Sequence, residues 1–140
     1  MKPDAKPNPP RLAVFLHDGA YDRMHQGLSI AASAVALGRH ADVFLFWWAL
    51  DRLLADQLDE PDFGPGRETA TGRFEVRRMP TLRELLTHLR ESGLCTLYAC
   101  SASAATLDVT PDRLEGKVDQ IVGWSTILTL TAGVTDRFYL

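Results

Sequence analysis

Only two cysteines occur in these 140 residues, and the start of the chain does not read as a secretory leader. A disulfide framework of the kind that staples small secreted domains is not expected, and a reducing, cytoplasmic setting is. The two cysteines, Cys95 and Cys100, are five positions apart. On one extended strand their Cα atoms lie roughly 16 Å from each other, whereas a disulfide needs about 4.4–6.8 Å. No apolar run approaches the roughly 18 residues of a membrane span. The charge is nearly balanced, at −3, with no basic stripe, so no nucleic-acid partner is expected. There is no His-Glu-x-x-His and no paired Cys-x-x-Cys, and His25, His40 and His88 have no metal-ligand spacing. No Gly-x-Gly-x-x-Gly or P-loop follows the first apolar run, and Gly-x-Ser-x-Gly is missing. Neither a metal nor any other cofactor is expected.

What the chain does have is alternation. Leu12–Leu16 is a continuous apolar run, expected to be a strand buried on both faces, and His17-Asp18-Gly19 is a turn signal behind it. Residues 21–37 place Met24, Leu28, Ala31 and Val35 on one helical stripe, with Gly38 as the stop and Asp22 as a candidate cap. Residues 41–48 are apolar except for Asp42, the pattern of a central parallel strand. A short helix is expected over 49–58. Residues 59–80 form the least regular stretch, rich in Pro, Gly and Arg, with residues 73–79 readable as a short edge segment. Thr81-x-x-Glu84 is a capping box ahead of the Leu82, Leu85, Leu86, Leu89 stripe. A strand then runs from Gly93 to Cys100, followed by a short helix over 101–107. Thr110-Pro111 opens a further turn of helix, and elements are expected at 118–122 (strand), 124–132 (helix) and 137–140 (strand).

This βαβ alternation predicts one α/β domain over 11–140 behind a flexible Pro-rich tail over 1–10. The fold class is a flavodoxin-like three-layer sandwich: a five-stranded, mainly parallel sheet of order 2-1-3-4-5 with helices on both faces. In that order the first and third strands are neighbours, and their carboxyl ends flank the switch point where such sheets bind ligands. His17, Asp18 and Gly19 are thereby expected beside Cys100, Ser101 and Ser103.

Cys100 is the leading candidate for chemistry. It closes a strand and precedes Ser101-Ala102-Ser103, a helix start whose backbone N–H groups favour a thiolate. Cys100-x-x-Ser103 has the form of a monothiol redox motif, although it follows the third strand rather than an early one. His17 is a candidate base for that thiol, with Asp18, Gly19, Ser101 and Ser103 as binding residues. Cys95, between Leu94 and Thr96, reads as a small core residue. Trp47-Trp48 suits either the core or an oligomer face.

Three stretches carry a family resemblance: residues 12–23, with Tyr21-Asp22-Arg23 opening the helix; the aromatic run of 43–50; and Leu97-Tyr98-Ala99-Cys100-Ser101-Ala102-Ser103 followed by Leu114 and Val122-Gly123-Trp124. In their order and spacing the chain resembles the DsrE/DsrF-like sulfur-relay proteins, most of all the subgroup labelled peroxiredoxin-like. Ala102, His17-Asp18 and residues 59–80 depart from that pattern. The resemblance implies a homo-oligomer, often a trimer or hexamer, and a cysteine that holds sulfur as a persulfide, here Cys100, in exchange with a protein sulfur donor or acceptor. The expected function is a small cytoplasmic sulfur carrier or sulfurtransferase-like protein. Two alternatives stay open: a non-catalytic oligomeric interaction protein with Cys100 merely packed, and a small-molecule-binding module using the crevice beside Cys100.

Overall fold

The computed structural model describes residues 9–140. The tail expected over 1–10 therefore lies outside the described residues except for Pro9 and Pro10. Five strands alternate with seven helices: β1 (Leu12–Leu16), α1 (Tyr21–Ala36), β2 (Ala41–Leu45), α2 (Trp47–Leu54), α3 (Glu68–Val76), α4 (Leu82–Glu91), β3 (Cys95–Cys100), α5 (Ser101–Thr106), α6 (Pro111–Leu114), β4 (Gln120–Val122), α7 (Trp124–Leu130) and β5 (Asp136–Tyr139). All four strand pairings are parallel. The α/β class, the parallel five-stranded sheet and the helices on both faces are as the sequence predicts.

The strand order is β4-β3-β2-β1-β5, not 2-1-3-4-5, so β2 lies between β1 and β3. The reason lies in the crossovers. From β1 to β4 each connection steps the same way across the sheet, and right-handed connections then put all their helices on one face. Residues of α1, α2, α4 and α5 accordingly share one apolar cluster with Leu12, Val14, Leu16, Val43, Leu45, Leu97 and Ala99. The last connection returns across the whole sheet, which leaves α7 on the opposite face. There Phe15, Phe44, Tyr98 and Val122 pack with Ile127.

That second face is aromatic. Tyr98, Phe44, Phe15 and Tyr139 occupy matched positions on β3, β2, β1 and β5. Their rings stack in a ladder with centroid spacings of 4.6, 5.1 and 4.5 Å. Asp42, two residues before Phe44 on the same face, is fully buried. It forms an ion pair with Arg11 and accepts hydrogen bonds from His40 Nε2 (3.1 Å) and the Tyr98 hydroxyl (3.5 Å). A carboxylate without water requires such partners.

Several local expectations differ from what forms. The strand expected over 41–48 stops at Leu45, and Trp47 and Trp48 already belong to α2. An apolar run cannot by itself distinguish a buried strand end from a buried helix start. Residues 73–79 form no edge segment. They overlap α3, whose Phe74 ring packs edge-on against Tyr21 and Phe63. Asp22 sits inside the first turn of α1, and the N-cap is Ala20, whose N–H instead donates to Asp18 Oδ1 at 2.8 Å. The Thr81–Glu84 capping box is present with both reciprocal bonds. The excursion between α2 and α4 is closed by Tyr21. Its buried hydroxyl donates to the Leu58 carbonyl (3.2 Å) and accepts from the Leu82 N–H (3.1 Å).

Candidate functional site

β3 alternates strictly. Cys95, Leu97 and Ala99 share the layer of α1 and α4, while Tyr98 and Cys100 face α7. The two thiols are therefore in different environments. Cys95 is half-buried, and its thiol is pushed up to about 12 by burial, then by the nearby carboxylates of Asp119 and Asp42. A thiol held that far from ionisation is a poor nucleophile near neutrality.

Cys100 is the last residue of β3 and the N-cap of α5, with extended backbone (φ −70°, ψ 124°). No side chain caps this helix, so its first-turn N–H groups lack a side-chain acceptor. The Cys100 side chain is only 4% exposed and packs with Phe46, Val122 and Ile127. Ser101 Oγ lies beside Gly123 at the β4–α7 junction, 3.4 Å from where a Cβ on that glycine would sit. Ser103 is fully buried, and its hydroxyl has no hydrogen-bond partner among the described residues. That is a cost most buried polar groups avoid. Ser101 and Ser103 thus share the β3–α5 junction with Cys100.

His17, Asp18 and Gly19 lie elsewhere on the same edge. Leu16 pairs with Leu45, and Leu45 with Ala99. His17 therefore follows β1 two strands from Cys100, about 10 Å away at about 4.8 Å per strand, with Phe46 between. The adjacency expected from order 2-1-3-4-5 does not form, and among the described residues no hydrogen bond joins the His17 and Cys100 side chains. His17 is exposed. Its carbonyl accepts from the Ala49 N–H (3.2 Å), and its N–H donates to the Leu140 carbonyl (2.7 Å). Gly19 is pressed against the start of α2: a Cβ there would be 2.5 Å from the Trp48 carbonyl oxygen. Its own carbonyl accepts from Arg52. The His17–Gly19 turn thus anchors α2.

Sequence reasoning missed the packed aromatic face on which the thiol lies. Trp124 stacks on Phe46 (5.2 Å) and lies over Phe15 (6.3 Å), and Ile127 is fully buried in the same cluster. Their signal was present in the aromatic alternation at Phe44 and Phe46, which marks a second packed face. Trp47 at the same edge has φ +41°, a left-handed backbone costly for a residue with a side chain. A surface cleft lined by Arg52, Asp56, Asp59 and Asp62 includes none of the candidate site residues. Among the described residues no group of three or more His, Cys, Asp or Glu side chains is arranged to hold a metal ion, and no helix is long and apolar enough to cross a membrane.

A scan of family models finds no match to this chain, and a search of curated proteins finds none.

Proposed function

We propose that this protein is a cytoplasmic sulfur carrier, with sulfurtransferase-like chemistry, that holds sulfane sulfur as a persulfide on Cys100. The observation that carries the reading is the position of Cys100. It lies at the carboxyl edge of a parallel sheet, where a strand gives way to a helix start with no side-chain cap. The resemblance to DsrE/DsrF-like proteins supports the choice of sulfur chemistry. In the transfer, the Cys100 thiolate attacks the outer sulfur of a donor persulfide. The donor S–S bond breaks, the donor leaves as a thiolate, and Cys100 carries the new S–S bond. The N–H groups of the first α5 turn and the Ser101 and Ser103 hydroxyls share the β3–α5 junction with Cys100 and are the proposed donors to the developing charge. His17, across β2, contributes at the rim rather than as a directly bonded base, and Asp18 and Gly19 shape that rim. The partners are a protein donor or acceptor and further copies of this chain, as a trimer or hexamer.

The near-complete burial of Cys100 favours a second reading, an oligomeric interaction protein with a packed thiol. Cyanide distinguishes them. Protein charged with a persulfide donor and desalted should release one thiocyanate per chain, and Cys100→Ser should release none. Equal release from wild type and Cys100→Ser, or none from either, would favour the packed thiol.

A further inference from the structure

We propose that two copies of this chain join edge to edge through β5, antiparallel, about a two-fold axis passing beside Phe138, to form one continuous sheet. This deepens the homo-oligomer part of the proposed function and does not depend on the sulfur chemistry.

Among the described residues β5 is an edge strand that pairs with β1 alone. The Leu140 N–H donates to the Phe15 carbonyl (2.8 Å), and the Leu140 carbonyl accepts from His17, so Leu140 faces inward. The alternation of a parallel ladder then turns the N–H and C=O of Arg137 and Tyr139 outward, without a backbone partner among the described residues. Edges are ordinarily guarded by charged side chains, proline or bulges. Here both charges of the strand are engaged within the chain. Asp136 is ion-paired with Arg39, and Arg137 donates back to the Thr131 (2.7 Å) and Val134 (3.3 Å) carbonyls.

Each face of the edge carries an exposed aromatic side chain. On the α1 side, Phe138 is 38% exposed and shares a groove with Ile30 and Leu37. On the α7 side, Tyr139 is 65% exposed and stacks on Phe15, the ring that Trp124 also overlies. An open edge with aromatic side chains above and below fits a strand bearing the same features, and the register suits a second copy. Centred on Phe138, antiparallel pairing makes Arg137 and the partner's Tyr139 a hydrogen-bonded pair that exchanges both N–H···O bonds. The reciprocal pair does the same, giving an isologous contact. The two Phe138 side chains meet on the α1 side, in the grooves beneath Leu37. Each Arg137 backbone faces the partner's Tyr139, while its guanidinium stays on the Thr131 and Val134 carbonyls of its own chain.

Sedimentation equilibrium of the full chain tests this, with wild type, Phe138→Lys and, in a Cys95→Ser/Cys100→Ser background, Phe138→Cys. The expected wild-type mass is an even multiple of 15.5 kDa, which fits the hexamer and not the trimer of the proposed assemblies. Phe138→Lys, which sets two like charges face to face, should at least halve that mass while leaving the circular dichroism spectrum unchanged. Phe138→Cys should form a covalent dimer on mild oxidation, because facing non-hydrogen-bonded positions meet disulfide geometry. A wild-type monomer would overturn both the homo-oligomer reading and this one. It would also be the result if the edge serves an extended peptide of another protein. An oligomer unchanged by Phe138→Lys and not cross-linked through Phe138→Cys would overturn the β5 interface alone.

Discussion

Cys95 and Cys100 open and close the same strand yet face opposite layers of the molecule. The Cys95 thiol is raised from an ordinary 9.0 to about 12, which is about a thousandfold less thiolate near neutrality. In a Cys100→Ser protein, alkylation at pH 8 should therefore be about 10³-fold slower in the native state than in urea. Stopped alkylation with mass readout checks this. Comparable rates in both states would show Cys95 to be freely ionising.

The same shift sets a pH dependence of stability. The folded state holds the Cys95 proton more tightly than the unfolded chain. The stability this represents is complete below about pH 9 and is lost as pH rises toward about 12. Denaturant midpoints measured from pH 7.5 to 10.5 should fall less steeply for Cys95→Ala than for wild type. The difference in slope should be at most about 1.4 kcal/mol per pH unit. Parallel curves would remove Cys95 from the alkaline transition.

Tyr21→Phe removes two buried hydrogen bonds at once, to the Leu58 carbonyl and the Leu82 N–H. The loss should be about 1–3 kcal/mol of stability, read as a lower urea midpoint. Because these bonds close the segment that carries α3, limited proteolysis within residues 59–81 should accelerate more than cleavage elsewhere.

Arg11 is half-exposed, but its partner Asp42 is fully buried. Arg11→Ala leaves that carboxylate to His40 and Tyr98 alone and should cost about 1–3 kcal/mol, less than for a fully buried pair because water reaches the arginine. Asp42→Asn in the same background should recover part of the loss, a non-additivity that a double-mutant cycle measures. Strict additivity would mean that the pair is not coupled.

Much of the architecture was legible because it is written locally. The Leu12–Leu16 run is buried throughout. Gly38, with φ +77°, ends the first helix region, and the leucines behind Thr81 are all buried. What the sequence could not convey was non-local. Strand order depends on which face each crossover takes, and the packing of α1 and α4 on one face puts β2, not β3, beside β1. The expected meeting of His17 and Cys100 rested on that order and fell with it. Trp47 and Trp48 extend an apolar run without a break, so the turn from β2 into α2 left no mark in composition. The lone charge at Asp42 was visible, but its partners Arg11, His40 and Tyr98 come from other strands and connections that only the fold assembles.

The central claim concerns the Cys100 sulfur, and intact mass tests it most directly. Reduced wild type, Cys95→Ser and Cys100→Ser protein would each be exposed to a persulfide donor under native conditions. The account predicts the gain of one sulfur atom on wild type and on Cys95→Ser, and none on Cys100→Ser. No gain on native protein, with thiol labelling of Cys100 only after denaturation, would contradict it and leave Cys100 a residue of the core.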